Sequence, residues 1–295
     1  MKIFSGSSNP QLAKKIAKEL EIPLGTVDIF TFADGERRVR VLDKVLEEDC
    51  VVVQPTSPPA DSNYMELFFI IDALKRSGAR SITAVIPYLG YQRQDHVFRE
   101  GEAVSLEVIV ETLQSTGVSK IITFDLHSIK IPELFNRIQL VHLSALSLFA
   151  DKIKDDESIL VSPDMGGIRR IKELSGFLGD KPFAVIDKDR NLSTGEVKAV
   201  DISGSVKGKT AIVVDDMIST GKTIVVASKL LLKKGAKKII VFATHPVFSK
   251  DCCQLLENSP VEKVYVSDTI GVPQNKRFSK LEIISVAELI AKNLR

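Results

Sequence analysis

Tryptophan is missing from this 295-residue chain, and cysteine, methionine, tyrosine and histidine number only three, four, four and four. Cys50, Cys252 and Cys253 show no C-x-x-C spacing, so no disulfide framework is indicated and a reducing compartment fits better. The adjacent Cys252 and Cys253 read as packing residues. A dominant charge is also missing. Forty basic residues against 38 acidic ones leave a formal charge of +2, which implies no bulk attraction to nucleic acid or to an anionic membrane, so any anion binding is local. No apolar run approaches the roughly 18 residues of a membrane span, and MKIFSGSSNP carries no signal h-region. The expectation is a cytoplasmic, soluble protein without a nucleic-acid or membrane partner.

What the chain does have is enough apolar residue, 44%, for two cores, and its length suggests two domains of about 150 residues. Short β-branched runs alternate with helical patterns: Lys2–Phe4, Val27–Phe32, Cys50–Val53, Ser81–Ile86 and Lys120–Phe124 in the first half, then Ser158–Val161, Phe183–Ile186, Ala211–Val214, Ile239–Ala243 and Val264–Val266. Helices are predicted from Asn9, which caps the first, to Leu20, over Tyr64–Arg76 and over Val104–Ser115. This alternation predicts an α/β fold with parallel sheets covered on both faces. The turn Ala33–Glu36 between Val27–Phe32 and Val39–Leu42 is a hairpin signal.

One part of the pattern occurs twice. LKRSGARSITAVIPY (Leu74–Tyr88) and LKKGAKKIIVFATHP (Leu232–Pro246) both close a helix on basic residues, turn at Gly-Ala and enter an apolar strand. A duplicated domain follows, with a boundary near Leu143: residues 1–143 and 144–295, the last helix able to pack back on the first domain. The copies differ where chemistry would sit. The second has TAIVVDDMISTGKTI (Thr210–Ile224), and the first has QPTSPPADSN in its place.

In that second-copy stretch Asp215 and Asp216 follow a buried strand, and Ser219, Thr220, Gly221, Lys222 and Thr223 lead into a helix. Free N–H groups at a helix start, flanking hydroxyls and a glycine make a phosphate cradle. Carboxylates would repel a bare phosphate, but they suit a phosphorylated ribose whose hydroxyls donate to them. The nucleotide P-loop fails on spacing, because it needs glycine where Asp216 stands. The plainer reading is a strand-to-helix turn that Thr220 caps.

Four other polar clusters stand at strand ends, where open α/β sheets bind ligands. In Tyr91–Asp95, Arg93 suits a phosphate, or the stretch is a solvated loop. Asp125-Leu126-His127 suits a metal ligand with an orienting partner, or His127 is structural. Asp164, in Ser162–Gly167, suits Mg²⁺ through water, or caps a helix. Lys188 and Arg190 could close over transferring phosphates, or form an exposed charge run. Together the clusters imply two phosphorylated substrates.

FADGE (Phe32–Glu36), YQRQD (Tyr91–Asp95), DLHS (Asp125–Ser128), SPDMGG (Ser162–Gly167), DKDR (Asp187–Arg190) and VVDDMISTGKT (Val213–Thr223) occur in this order, and the chain resembles ribose-phosphate pyrophosphokinases over essentially its whole length. The resemblance implies two duplicated type I phosphoribosyltransferase-type domains, each a mostly parallel sheet flanked by helices. It implies a Mg²⁺-dependent transferase that moves the diphosphoryl group of ATP to the anomeric hydroxyl of ribose 5-phosphate. Phe32, Asp34 and Glu36 would approach the ATP base of a neighbouring subunit, so at least a homodimer is expected. Arg93, Gln94 and His127 would bind ATP, and His127 and Asp164 would hold Mg²⁺. Asp215 and Asp216 would grip the ribose hydroxyls, Ser219–Thr223 the 5-phosphate, and Lys188 and Arg190 the transferring group. Ser219 and Lys222 depart from the pattern of many relatives, and Arg99–Ser105 looks more like archaeal members. Other readings of the same motifs are a true phosphoribosyltransferase and a non-catalytic regulatory homologue.

Overall fold

The computed structural model describes residues 1–190 and 197–295; the side chains of residues 188–190 and 197–200 lie outside that description. Two compact units divide the chain: unit 1 holds residues 1–143, 269–271 and 285–295, and unit 2 holds 144–268 and 272–284.

Unit 1 runs β1 (Lys2–Ser5), α1 (Pro10–Glu19), β2 (Val27–Thr31), β3 (Arg37–Val41), β4 (Asp49–Val53), α2 (Ala60–Arg76), β5 (Ser81–Val85), α3 (Ser105–Thr116), β6 (Lys120–Phe124) and β7 (Gln139–Leu143). Its parallel sheet has the order β1-β4-β5-β6-β7, and β2–β3 forms a separate antiparallel hairpin. Unit 2 contains α4 (Leu146–Ala150), β8 (Ile159–Ser162), α5 (Ile168–Phe177), β9 (Phe183–Arg190), β10 (Val197–Ser203), β11 (Thr210–Ile218), α6 (Lys222–Lys233), β12 (Lys238–Pro246), α7 (Cys252–Glu257), β13 (Lys263–Ser267) and β14 (Leu281–Ile284). Its order is β10-β9-β8-β11-β12-β13-β14. The five parallel strands β8-β11-β12-β13-β14 repeat the unit 1 order, and β9–β10 is the counterpart of the hairpin, here joined to the sheet edge. The final helix, α8 (Ala287–Leu294), lies in unit 1 and touches α1.

The cores explain the pattern. Val51, Val52 and Val53 of β4 and Ala211–Val214 of β11 are buried, as parallel strands covered on both faces require. Asn9 caps α1 by accepting from the N–H of Leu12, and Pro10 supplies a helical φ at the first position. The repeated turn is the same in both units. Gly78 and Gly235 take positive φ (83° and 88°), and Ala79 N and Ala236 N donate back to Leu74 O and Leu231 O, closing α2 and α6 alike. Burial pushes the Cys50 thiol up to about 11 and that of Cys252 to about 12, which leaves both as packing residues.

Several boundaries differ from the expectation. Helix α2 starts at Ala60, not Tyr64: Pro59 precedes the first turn, where its missing N–H costs no helical bond, and Asp61 suits the helix dipole. Strand β11 does not stop at Val214 but pairs with β12 as far as Ile218↔Pro246, so the two acids stand within the ladder. The polar run Asp187–Arg190 is part of β9, paired antiparallel with β10. Strands β7, β10 and β14 carried no clear period-two signal.

Candidate active site

In unit 2 the acid pair is positioned by the parallel ladder. Asp215 stands opposite Ala243 on β12, and Asp216 is 3% exposed. The N–H of Asp216 donates to Asp215 Oδ1 at 2.9 Å. Arg170, in the first turn of α5, reaches both carboxylates: its NH1 lies 3.4 Å from Asp215 Oδ1 and its NH2 3.7 Å from Asp216 Oδ1. Burial, followed by the charge of Asp216, pushes the Asp215 carboxyl well above the usual carboxylate range; Arg170 opposes the shift and Asp164 adds to it. Arg170 thus meets both carboxylates, and groups that donate hydrogen bonds to the pair lower the cost of its buried charge.

The loop that follows is built without a side-chain cap. Gly221 is the N-cap residue of α6 and has φ 74°, a conformation that strains any residue with a Cβ. Such a Cβ would also lie 3.0 Å from Cys252 Sγ. Thr220 does not cap the helix. Ser219 is held from outside the loop, its Oγ 2.9 Å from Ser249 Oγ and its carbonyl accepting from Ser249 N at 3.0 Å. Ser219, Thr220 and Thr223 are half-buried and Lys222 is exposed, so hydroxyls and an ammonium border a helix N-terminus. Asp164 is half-buried, and its Oδ1 accepts from Gly167 N at 3.2 Å, so it does cap the short turn Met165–Gly167. Lys188 and Arg190 fall on β9, and their side chains lie outside the described residues.

In unit 1, Phe32, Asp34 and Glu36 are all exposed at the hairpin tip. Phe32 N donates to Glu36 O, Glu36 N donates to Asp34 Oδ1, and the Phe32 ring meets Phe30 edge-on at 5.1 Å. The hairpin is anchored through Arg37, whose NH1 pairs with Glu66 Oε2 at 3.0 Å and donates to Ser62 O. Arg93 is exposed. The Gln94 side chain donates to Ala103 O at 3.4 Å and to Glu102 Oε2 at 3.5 Å, which ties its own loop together. His127 is exposed, on a loop whose amides are fixed: Asp125 N by Leu143 O, Leu126 N by His142 Nε2 and His127 N by Gln92 Oε1.

The acid pair, the uncapped helix start and Asp164 thus belong to unit 2, and the hairpin tip, Arg93, Gln94 and His127 to unit 1. The sequence reading passed over Arg170. A signal was present, since Arg169 and Arg170 put two cations in a first turn, where the helix dipole disfavours them. It also passed over Glu66 and Gln92, which look like ordinary helix and loop residues until their partners are known.

Comparison with known proteins is consistent along the whole chain. Residues 1–117 match the model for the N-terminal domain of ribose phosphate pyrophosphokinase, and residues 183–295 match that for the phosphoribosyl synthetase-associated domain. The chain is 39% identical over 295 residues to a ribose-phosphate pyrophosphokinase of Gloeobacter violaceus, covering 99% of this chain and 88% of that one. It is 39% identical over 301 residues to the enzyme of the same name from Thermotoga maritima, covering 99% and 93%. Its fold is similar to the crystal structure of phosphoribosylpyrophosphate synthetase from Mycobacterium smegmatis, with a TM-score of 0.93 and 36% identity over 100% of this chain and 97% of that one.

Proposed function

The chain belongs to the ribose-phosphate pyrophosphokinase family, and we propose that unit 1 serves the ATP side of its reaction and unit 2 the ribose 5-phosphate side. The enzyme transfers the diphosphoryl group of ATP to the anomeric hydroxyl of ribose 5-phosphate, giving 5-phosphoribosyl 1-diphosphate for nucleotide biosynthesis, and AMP. The anomeric oxygen attacks the β-phosphorus and gives up its proton to solvent, the bond from that phosphorus to the α,β-bridging oxygen breaks, and AMP leaves with that oxygen. No protein nucleophile is required; the chain's tasks are positioning and charge neutralisation.

The observation that carries the assignment of unit 2 is the buried Asp215–Asp216 pair, met by Arg170, on the strand that leads into a helix start without a side-chain cap. Ribose hydroxyls donate to Asp215 and Asp216, and the 5-phosphate takes the N-terminal amides of α6 with Ser219, Thr220, Gly221, Lys222 and Thr223. On this reading the acids orient the sugar and are not general bases. Phe32, Asp34 and Glu36 reach the nucleotide base bound by another copy of the chain; their exposure, together with that of Phe30 at 47%, supports self-association. Arg93, Gln94 and His127 hold ATP, and Lys188 and Arg190 close over the β-phosphoryl group.

The half-buried carboxylate of Asp164 suits Mg²⁺. Among the described residues no three His, Cys, Asp or Glu side chains converge as a metal cage, and Mg²⁺ characteristically takes one or two protein ligands and leaves its other positions to water and phosphate oxygens. Asp164 and His127 would hold it, and when bound it neutralises charge on the diphosphoryl group. No helix among the described residues is long and apolar enough to cross a membrane, which is compatible with a cytoplasmic enzyme.

The test is AMP release from ATP, which is expected to require both ribose 5-phosphate and Mg²⁺. A Lys188→Ala, Arg190→Ala double variant should lose turnover by orders of magnitude and still bind ribose 5-phosphate. Wild-type turnover in that variant would sink the assignment of the two cations.

A further inference from the structure

The loops that carry Arg93 and His127 follow β5 and β6, which are neighbours in the unit 1 sheet. They are joined by a side chain for which the reaction above has no use. Gln92 is 1% exposed, and its Oε1 accepts the main-chain N–H of His127 at 2.9 Å. Asp95, three residues on, adds a second tie through a hydrogen bond with the Ser128 side chain. Arg93 and Gln94 stand between these two anchors.

The orientation of the Gln92 amide is dictated by its partner. Turned over, it would set its NH₂ against the His127 N–H, donor against donor. In the orientation that serves His127, its Nε2 is buried and meets no acceptor among the described residues. An unmade buried donor costs free energy, so a residue selected for filling space alone would be apolar. The amide is kept for its acceptor. The two preceding amides of the loop are held within their own strand region, by Leu143 O at 3.0 Å and His142 Nε2 at 3.0 Å. Of the three, only the His127 amide is held by the loop that presents Arg93.

We propose that Gln92 is a positioning residue for the nucleotide: it locks the His127 backbone to the Arg93 loop, so that imidazole and guanidinium meet the ATP phosphates as one preset pair. The proposal rests on the reading of Arg93 and His127 as ATP-binding residues. Gln92→Met keeps the volume and removes the acceptor; Gln92→Asn keeps an amide but withdraws it by one methylene. Both are expected to raise KM for ATP by about tenfold or more, since small misplacements of binding groups are costly. KM for ribose 5-phosphate should be unchanged, and hydrogen exchange at the His127 amide should accelerate by a similar factor. Gln92→Glu presents an oxygen to the same N–H and should restore slow exchange at His127. In a His127→Ala background, Gln92→Met should add no more than about twofold to KM for ATP, as residues acting through one another are not additive.

A folded Gln92→Met or Gln92→Asn protein with wild-type KM for ATP overturns the proposal, and so does unchanged exchange at His127. Failure of the underlying reading looks different: His127→Ala and Arg93→Ala would then leave KM for ATP unchanged, whatever Gln92 does.

Discussion

The junction of β4 with α2 in unit 1 and that of β11 with α6 in unit 2 are two versions of one design. By strand register, Val53 pairs with Val85 and Val214 with Phe242, each seven residues past the matched turns at Gly78 and Gly235, so Gln54 stands where Asp215 stands; Glu66 stands where Thr223 does, each twelve residues ahead of its glycine. In unit 1 everything there is used internally. Glu66, 1% exposed, accepts from Ser7 N at 2.6 Å, Ser7 Oγ at 2.8 Å, Gln54 Nε2 at 2.9 Å and Arg37 NH1 at 3.0 Å. Gln54 Oε1 in turn accepts from Ser8 N and Ser8 Oγ. In unit 2 the helix start carries hydroxyls and a glycine but no acid, and the acids have moved to the strand. Unit 1 fills the position with its own carboxylate; unit 2 places no acid in the first turn of α6. On the proposed function, that difference leaves the ribose 5-phosphate side of the reaction to unit 2.

The sharpest way to break the comparison is Glu66→Leu. Removing one member of a buried, hydrogen-bonded charge pair leaves Arg37 and the Ser7 amide unmatched, and unit 1 is expected to lose about 3–5 kcal/mol. Denaturant unfolding followed by a unit 1 probe checks this, and a loss below about 1 kcal/mol would mean that Glu66 is not the built-in anion described.

The next largest effect is expected from Asp215→Asn. Because the Asp215 carboxyl is raised when folded, folding favours its protonated form; the favourable state is complete below the unfolded carboxylate value and is lost as pH rises through the folded one. Neutralising the residue should therefore raise Tm at pH 8 by a few degrees, at roughly 2–4 °C per kcal/mol, and change it little at pH 4. The same variant should lose most ribose 5-phosphate affinity. In the wild type, KM for ribose 5-phosphate should climb as pH falls and the pair takes up a proton. A KM that is flat with pH, or an Asp215→Asn protein less stable than wild type at pH 8, contradicts the raised Asp215 carboxyl.

Gly221→Ala should cost roughly 1–2 kcal/mol through its positive φ and raise KM for ribose 5-phosphate more than KM for ATP; Gly35→Ala, at φ 94° on the unit 1 hairpin, should leave KM for ribose 5-phosphate alone. The smallest effect is Asn9→Ala, which removes the cap of α1 for about 1 kcal/mol and should leave both KM values unchanged. A KM change there would mean that the unit 1 loops are less independent of α1 than their hydrogen bonds indicate.

Legibility followed the range of the interactions. Strands β4, β5, β6, β11 and β12 were readable because parallel strands buried on both faces must be short apolar runs. The first helix was readable from Asn9 and Pro10, and the repeated turn from its Gly-Ala pairs. Strand β14, four residues long and half-buried throughout, offers no such pattern. Proline and serine before α2 suggested a longer loop, although proline is tolerated ahead of a first helical turn.

By itself, then, the sequence determined that a buried apolar run from Ala211 to Val214 leads through Ser219–Thr223 into a helix, since local propensity and period decide both elements; that Asp215 and Asp216 lie inside the strand's ladder was decided by pairing with β12. The sequence also determined that the first half lacks this loop. What it left open is how each of those groups is held. Arg170 reaches the acid pair across 45 residues of sequence, Glu66 reaches Ser7 across 59, and Gln92 reaches His127 across 35. Such partners are chosen by the register of parallel strands whose connections pass through a helix, and register is a property of the whole sheet that no window of sequence contains.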